Sequence, residues 1–181
     1  MQKIYKKKAI PNQIGRPISE EDIEKLFKSN EIFGYKFARS TDTAIGNSTK
    51  YVHHEEGKWI RGSLCSKHGL FFFVDTKFLL PYMTYGDILV RIRIRKSDVP
   101  KMKIKVHENG IIQEYSCRKY YVDKIMVLSD EETLRFIAEH ADKQFASIAS
   151  WSIDHLKKLW VDQNVLFAFE RMLIKKGIDP T

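Results

Sequence analysis

Cysteine is scarce in this chain: Cys65 and Cys117 are the only two among 181 residues, and they stand far apart, outside any Cys-x-x-Cys spacing. That argues against a disulfide framework and a zinc knuckle, and leaves two free thiols in a reducing compartment as the expectation. Glycine and proline are also few, at 9 and 5, while 43% of the residues are hydrophobic. Such a composition speaks against widespread disorder. No apolar run approaches the roughly 20 residues of a membrane span. The N-terminal Met1-Gln2-Lys3-Ile4-Tyr5-Lys6-Lys7-Lys8 has no apolar segment of signal-peptide type behind its charges. An intracellular protein without a membrane partner is expected. No catalytic signature is strong enough to settle a function.

What the chain does have is an unusual strand. In Gly86-Asp87-Ile88-Leu89-Val90-Arg91-Ile92-Arg93-Ile94-Arg95, apolar Val90, Ile92 and Ile94 alternate with Arg91, Arg93 and Arg95. A period of two describes a half-buried β-strand. One face enters a core, and the other carries three guanidiniums, which pair well with phosphate or carboxylate. The net charge of +8 is uneven in the same sense. Residues 1–129 hold 24 Lys or Arg against 14 Asp or Glu, whereas residues 130–181 hold 7 against 9. A basic domain of net +10 attracts nucleic acid, acidic proteins or anionic lipid through its summed field.

The remaining pattern predicts an α+β fold built on a mainly antiparallel sheet, with flanking helices and a C-terminal helical pair. Pro17-Ile18-Ser19-Glu20-Glu21-Asp22 reads as a helix start with Ser19 as cap, running to about Asn30. Tyr35 and Phe37 mark a short strand, and Lys50 to His54 another. Leu70-Phe71-Phe72-Phe73-Val74 reads as a strand buried on both faces at the centre of the sheet. A short helix capped by Asp75 should stop at Pro81. Met102–His107 and Ile111–Tyr115 flank Asn109-Gly110, a strong hairpin signal. Tyr120–Leu128 is a last apolar strand. Ser129-Asp130-Glu131-Glu132 opens a helix to about Ala141. From Gln144 onward the pattern is helical, with Gly177 as its stop. The sheet domain is therefore assigned to residues 1–142 and the helical extension to 143–181.

The order of Trp59 and Gly62, Gly69-Leu70-Phe71-Phe72, Tyr85-Gly86-Asp87-Ile88, the Arg91–Ile94 strand and Tyr121-Val122-Asp123-Lys124-Ile125-Met126-Val127-Leu128 carries a resemblance. It is similar to the α+β domain that precedes ankyrin repeats in many proteins of giant, mimivirus-like DNA viruses of amoebae. In that family a Gly-Leu-Tyr-Phe-Thr type strand leads into a short helix ending near a Tyr-Gly turn, and a later strand ends in Ala-Asp-Lys-Ile-Ile-Leu; here Val122 stands where Ala is commoner. Phe169-Glu170-Arg171-Met172-Leu173-Ile174-Lys175-Lys176-Gly177-Ile178-Asp179-Pro180 is similar to the second helix and Gly-Ala-Asp-Pro loop of an ankyrin repeat. One repeat cannot bury its own face, so this segment would pack on the sheet domain or cap it. The resemblance implies a viral protein of the host cytoplasm or viral factory, acting as a non-enzymatic binding module.

Three candidate chemistries follow from the residues. Arg91, Arg93 and Arg95, with Lys101, Lys103 and Lys105 on an adjacent strand, would form a two-row cationic surface for nucleic acid or an acidic protein, with Tyr115, Tyr120 and Tyr121 as stacking platforms. The competing reading is that Arg and Lys on an exposed edge discourage strand-to-strand aggregation. An alternative is an ADP-ribosyltransferase-like enzyme using NAD, with Arg61 of Trp59-Ile60-Arg61-Gly62-Ser63 orienting the dinucleotide and Glu114 stabilising an oxocarbenium-like transition state. The Ser-Thr-Ser and Glu-x-Glu elements of those enzymes are not recognisable. His53-His54-Glu55-Glu56 offers a metal two ligands per strand face at most, short of a site unless His68 or His107 joins it. No cofactor or metal is expected.

Overall fold

The computed structural model describes residues 14–40, 53–61, 70–101, 103–106 and 112–180, and it places eight strands in two four-stranded antiparallel sheets. The strands are β1 (Ile14–Pro17), β2 (Glu31–Ala38), β3 (Trp59–Arg61), β4 (Leu70–Phe72), β5 (Ile88–Arg95), β6 (Lys103–Val106), β7 (Ile112–Cys117) and β8 (Lys119–Val127). The first sheet has the order β1-β6-β7-β4 and the second β2-β5-β8-β3. The chain is thus α+β, as the alternating segments and terminal helices predict. The Asn109-Gly110 turn lies outside the described residues, but the strands on either side, β6 and β7, pair antiparallel.

Among the described residues a single bridge joins the sheets. Tyr35 and Phe73 exchange backbone hydrogen bonds of 2.7 and 2.9 Å. Gly34 makes this approach possible, because a Cβ there would stand 2.7 Å from Cδ2 of Phe72. The apolar run at 70–74 is therefore not the centre of one sheet. It ends one sheet and hands over to the other, and its rings are apolar on both sides because they enter two different cores. Phe72 joins Val90, Ile92, Ile94, Ile104, Tyr120 and Val122 between the sheets, while Phe73 joins the helical core.

The helices are α1 (Glu20–Leu26), α2 (Leu79–Tyr82), α3 (Glu131–His140), α4 (Ala149–Lys158) and α5 (Gln163–Lys175). Ser19 and Asp22 form a reciprocal capping box at the start of α1. Asp75 accepts from the Lys77 amide and starts a 3-10 turn that continues into α2. Pro81 does not stop α2 but sits within its first turn, where no intrahelical donor is needed. Asp130, rather than Ser129, is the residue before α3.

Helices α2 to α5 share one core with one end of the second sheet: Phe37, Leu89 and Leu128 pack with Leu134, Leu156, Phe169 and Leu173. The segment after residue 142 is thus packed on the sheet domain. Gly86 locks this junction. Any side chain at residue 86 would overlap the backbone of Ala38, and the Gly86 carbonyl accepts a 2.7 Å hydrogen bond from Nε2 of His155 on α4. Among the described residues no helix is long and apolar enough to cross a membrane.

Candidate nucleic-acid interface

Strand β5 lies inside its sheet, between β2 and β8. Its inward residues Ile88, Val90, Ile92 and Ile94 are all buried between the sheets. The outward residues Leu89, Arg91, Arg93 and Arg95 change character along the strand. Leu89 is covered by the helical core together with Phe37 and Met126. Beyond it the helices end, and the outer face carries the three arginines in place of leucine. Residues on this half are open: Phe33 is 49% and Trp59 38% exposed.

The register aligns these groups across the strands. Phe33 on β2 pairs with Arg93 on β5, Arg93 with Tyr121 on β8, and Tyr121 with Trp59 on β3. All four have the outward parity, so three aromatic rings and a guanidinium form one transverse row. Each arginine lies against a ring, with Arg91 5.0 Å from the Phe33 centroid, Arg93 4.6 Å from Tyr121 and Arg95 5.1 Å from Trp59. Lys119 approaches the same indole at 5.2 Å. Cations held over ring faces are attracted by the ring quadrupole. Trp59, Arg93, Arg95 and Tyr121 line a recess of about 230 Å³.

Three carboxylates moderate the charge. Asp123 is the extra residue of a β-bulge: Arg91 pairs with Lys124 and Ile92 with Val122. Its carboxylate accepts a 2.6 Å hydrogen bond from Nε of Arg91. Glu31 stands 3.5 Å from Arg93 and 3.4 Å from Arg95, and Asp98 stands 3.1 Å from Lys119.

Several sequence expectations are corrected by this geometry. Lys103 and Lys105 belong to β6 of the first sheet, and Lys101 ends the 3-10 segment before it. The strand beside β5 is not theirs, because the chain leaves the second sheet after Arg95; the expected second row of lysines is absent from this face. Of the three tyrosines only Tyr121 faces outward. Tyr115 and Tyr120 are buried between the sheets, where burial pushes the Tyr115 phenol up to about 12. Nor are the arginines on an edge. Phe33 and Trp59, not singled out as platforms from the sequence, were signalled there only by the outward parity of Phe33, Tyr35 and Phe37 and by an indole beside a basic residue.

Arg61 and Glu114 do not share a recess. Arg61 ends β3, exposed, in register with Lys119. Glu114 lies on β7 of the other sheet and lines a different, aromatic cleft of about 360 Å³ with Lys36, Phe71, Phe72, Phe73 and Tyr85. Gly62 and Ser63 lie outside the described residues. His53 to Glu55 form no strand but an irregular segment before a turn. His54 is buried, with Nε2 2.7 Å from the Tyr120 hydroxyl; Glu55 faces Lys58 at 3.8 Å, and Glu56 accepts from the Ile125 amide. Among the described residues no three His, Cys, Asp or Glu side chains come together as metal ligands; His68 and His107 are not among them. Cys117 is buried, and its thiol is pushed up to about 12 mainly by that burial. It is therefore a poor nucleophile. Cys65 lies outside the described residues.

Comparison of the chain with protein-family models, with curated proteins and with solved structures finds no match in any of the three.

Proposed function

We propose that the protein is a non-enzymatic module that binds nucleic acid on the half of the second sheet that helices α2 to α5 leave uncovered. The observation that carries this reading is the interleaving of Arg91, Arg93 and Arg95 with the outward rings of Phe33, Tyr121 and Trp59 on strands inside and beside the sheet centre. Cations answer phosphates, and ring faces answer bases once the guanidiniums over them turn away. An acidic protein satisfies the guanidiniums through its carboxylates, whereas a single-stranded nucleic acid brings a planar base beside every phosphate. Protection of an edge does not account for arginines on an internal strand. In this reading the protein belongs with the giant-virus α+β domains it resembles, and works in the host cytoplasm or viral factory, where nucleic acid is at hand.

Fluorescence anisotropy with labelled oligonucleotides across a salt series tests the proposal. Contact with about three phosphates of a single strand gives a log–log salt slope of about −2. Arg93→Glu combined with Arg95→Glu should weaken binding by at least tenfold and flatten that slope, whereas Lys103→Glu with Lys105→Glu, in the other sheet, should have the smaller effect. Binding that is absent at low salt, or indifferent to reversal of Arg93 and Arg95, would overturn it.

A further inference from the structure

Resting on that reading, we infer that the ligand of this face is a single strand that crosses the β-strands, its bases on one transverse row and its phosphates on the next. The base row is Phe33, Arg93, Tyr121 and Trp59, one residue from each of four neighbouring strands. Three inter-strand spacings of about 4.8 Å make it roughly 14 Å long; Trp59 and Tyr121 meet edge to face at 5.6 Å between centroids, so the row suits about two or three bases. The phosphate row lies one outward position further along each strand: Glu31 and Arg95 are register partners, as are Lys119 and Arg61. Arg95 and Lys119 flank the same indole, and the three cations of this row face two acids, Glu31 beside Arg95 and Asp98 beside Lys119.

The opposite flank does not offer phosphates the same welcome. There Asp123 engages Arg91 and leaves Lys124, the register partner of Arg91, as the exposed cation, while Tyr35 meets Phe136 of α3 at 5.7 Å between ring centroids, where the helices rise beside the sheet and narrow the approach. The strand is thereby given one side for its backbone. The recess between Trp59, Tyr121, Arg93 and Arg95 lies where the two rows meet, and it takes the junction of a base with its own phosphate. Guanidiniums that cover the rings in the free protein turn to phosphate as bases replace them. A duplex keeps its base faces inside its own stack, so it reaches only the cationic row.

The test compares a labelled single-stranded oligonucleotide with its duplex at fixed low salt, on the full chain. The single strand should bind at least tenfold tighter. Trp59→Ala should weaken single-strand binding roughly 5- to 150-fold, the range for loss of one stacked base, and leave duplex binding nearly unchanged, while Trp59→Phe, which keeps a ring, should recover most of it. In the Trp151→Phe, Trp160→Phe background, where both replaced indoles are exposed, Trp59 becomes the sole indole of a chain with three. Its emission should be quenched by the single strand and not by inorganic polyphosphate. Duplex binding as tight as single-strand binding, or unquenched Trp59, would overturn this inference while sparing the nucleic-acid reading; failure of wild-type protein to bind either form would overturn both.

Discussion

Glu31 is placed to compete with a ligand. It shares its carboxylate between Arg93 and Arg95, and all three side chains are more than a third exposed. Ion pairs of this kind contribute little to stability, about 0–1 kcal/mol, because water screens them and long side chains lose freedom. Glu31→Gln should therefore leave the thermal midpoint within a degree or two and tighten oligonucleotide binding several-fold at low salt. The gain should shrink as salt rises, as anisotropy titrations will show; unchanged or weaker binding would mean that Glu31 positions the arginines productively. At this scale the arginines were legible in the sequence, since strict alternation assigns them a face. The tyrosines were not. Tyr120 and Tyr121 differ by one position and take opposite sides, and the bulge at Asp123 interrupts the alternation that would have carried parity back from Ile125. Periodicity read across a bulge gives the wrong side.

Among the elements, β5 and the hairpin partners β6 and β7 could be read directly because alternation and turn chemistry are local. The position of β4 could not. Its apolar run says that both faces are buried, and two cores meeting at one strand satisfy that as well as the middle of a sheet does. Helix ends show the same limit. Gly177 at φ +72 follows α5, with the Ile178 amide bonded to the Leu173 carbonyl and the Gly177 amide to that of Ile174. The same pair of hydrogen bonds closes α4, from the Val161 amide to the Leu156 carbonyl and from the Trp160 amide to that of Lys157, but here a tryptophan occupies the left-handed position, at φ +57. Both ends are Schellman motifs, and only the one with glycine announces itself. A β-carbon in the left-handed region costs about 1 kcal/mol, and Trp160 is 91% exposed, so little packing offsets the strain. Trp160→Gly should raise the unfolding free energy by up to about 1 kcal/mol in urea titrations. A loss of stability would show that the indole makes contacts worth more than the strain.

For the molecule as a whole, the helices explain where the candidate site is. They cover the outer face of the second sheet at Phe37, Leu89 and Met126, and stop short of Phe33, Arg93, Tyr121 and Trp59. The charge division along the sequence anticipated a basic sheet and a near-neutral helical part, but not that the sheet would be two sheets, which separates Lys103 and Lys105 from Arg93 and Arg95. Which strands become neighbours depends on a close approach at Gly34 and the bridge from Tyr35 to Phe73, contacts too distant in sequence to carry a local signal. The most direct test of the central claim is a map of backbone amide and indole NMR shifts during titration with a short single-stranded oligonucleotide. The account predicts the largest changes at Phe33, Arg93, Arg95, Tyr121 and the Trp59 indole, with β6, β7 and the indoles of Trp151 and Trp160 little moved. Changes centred on β6 and β7, or on the helices, would contradict it.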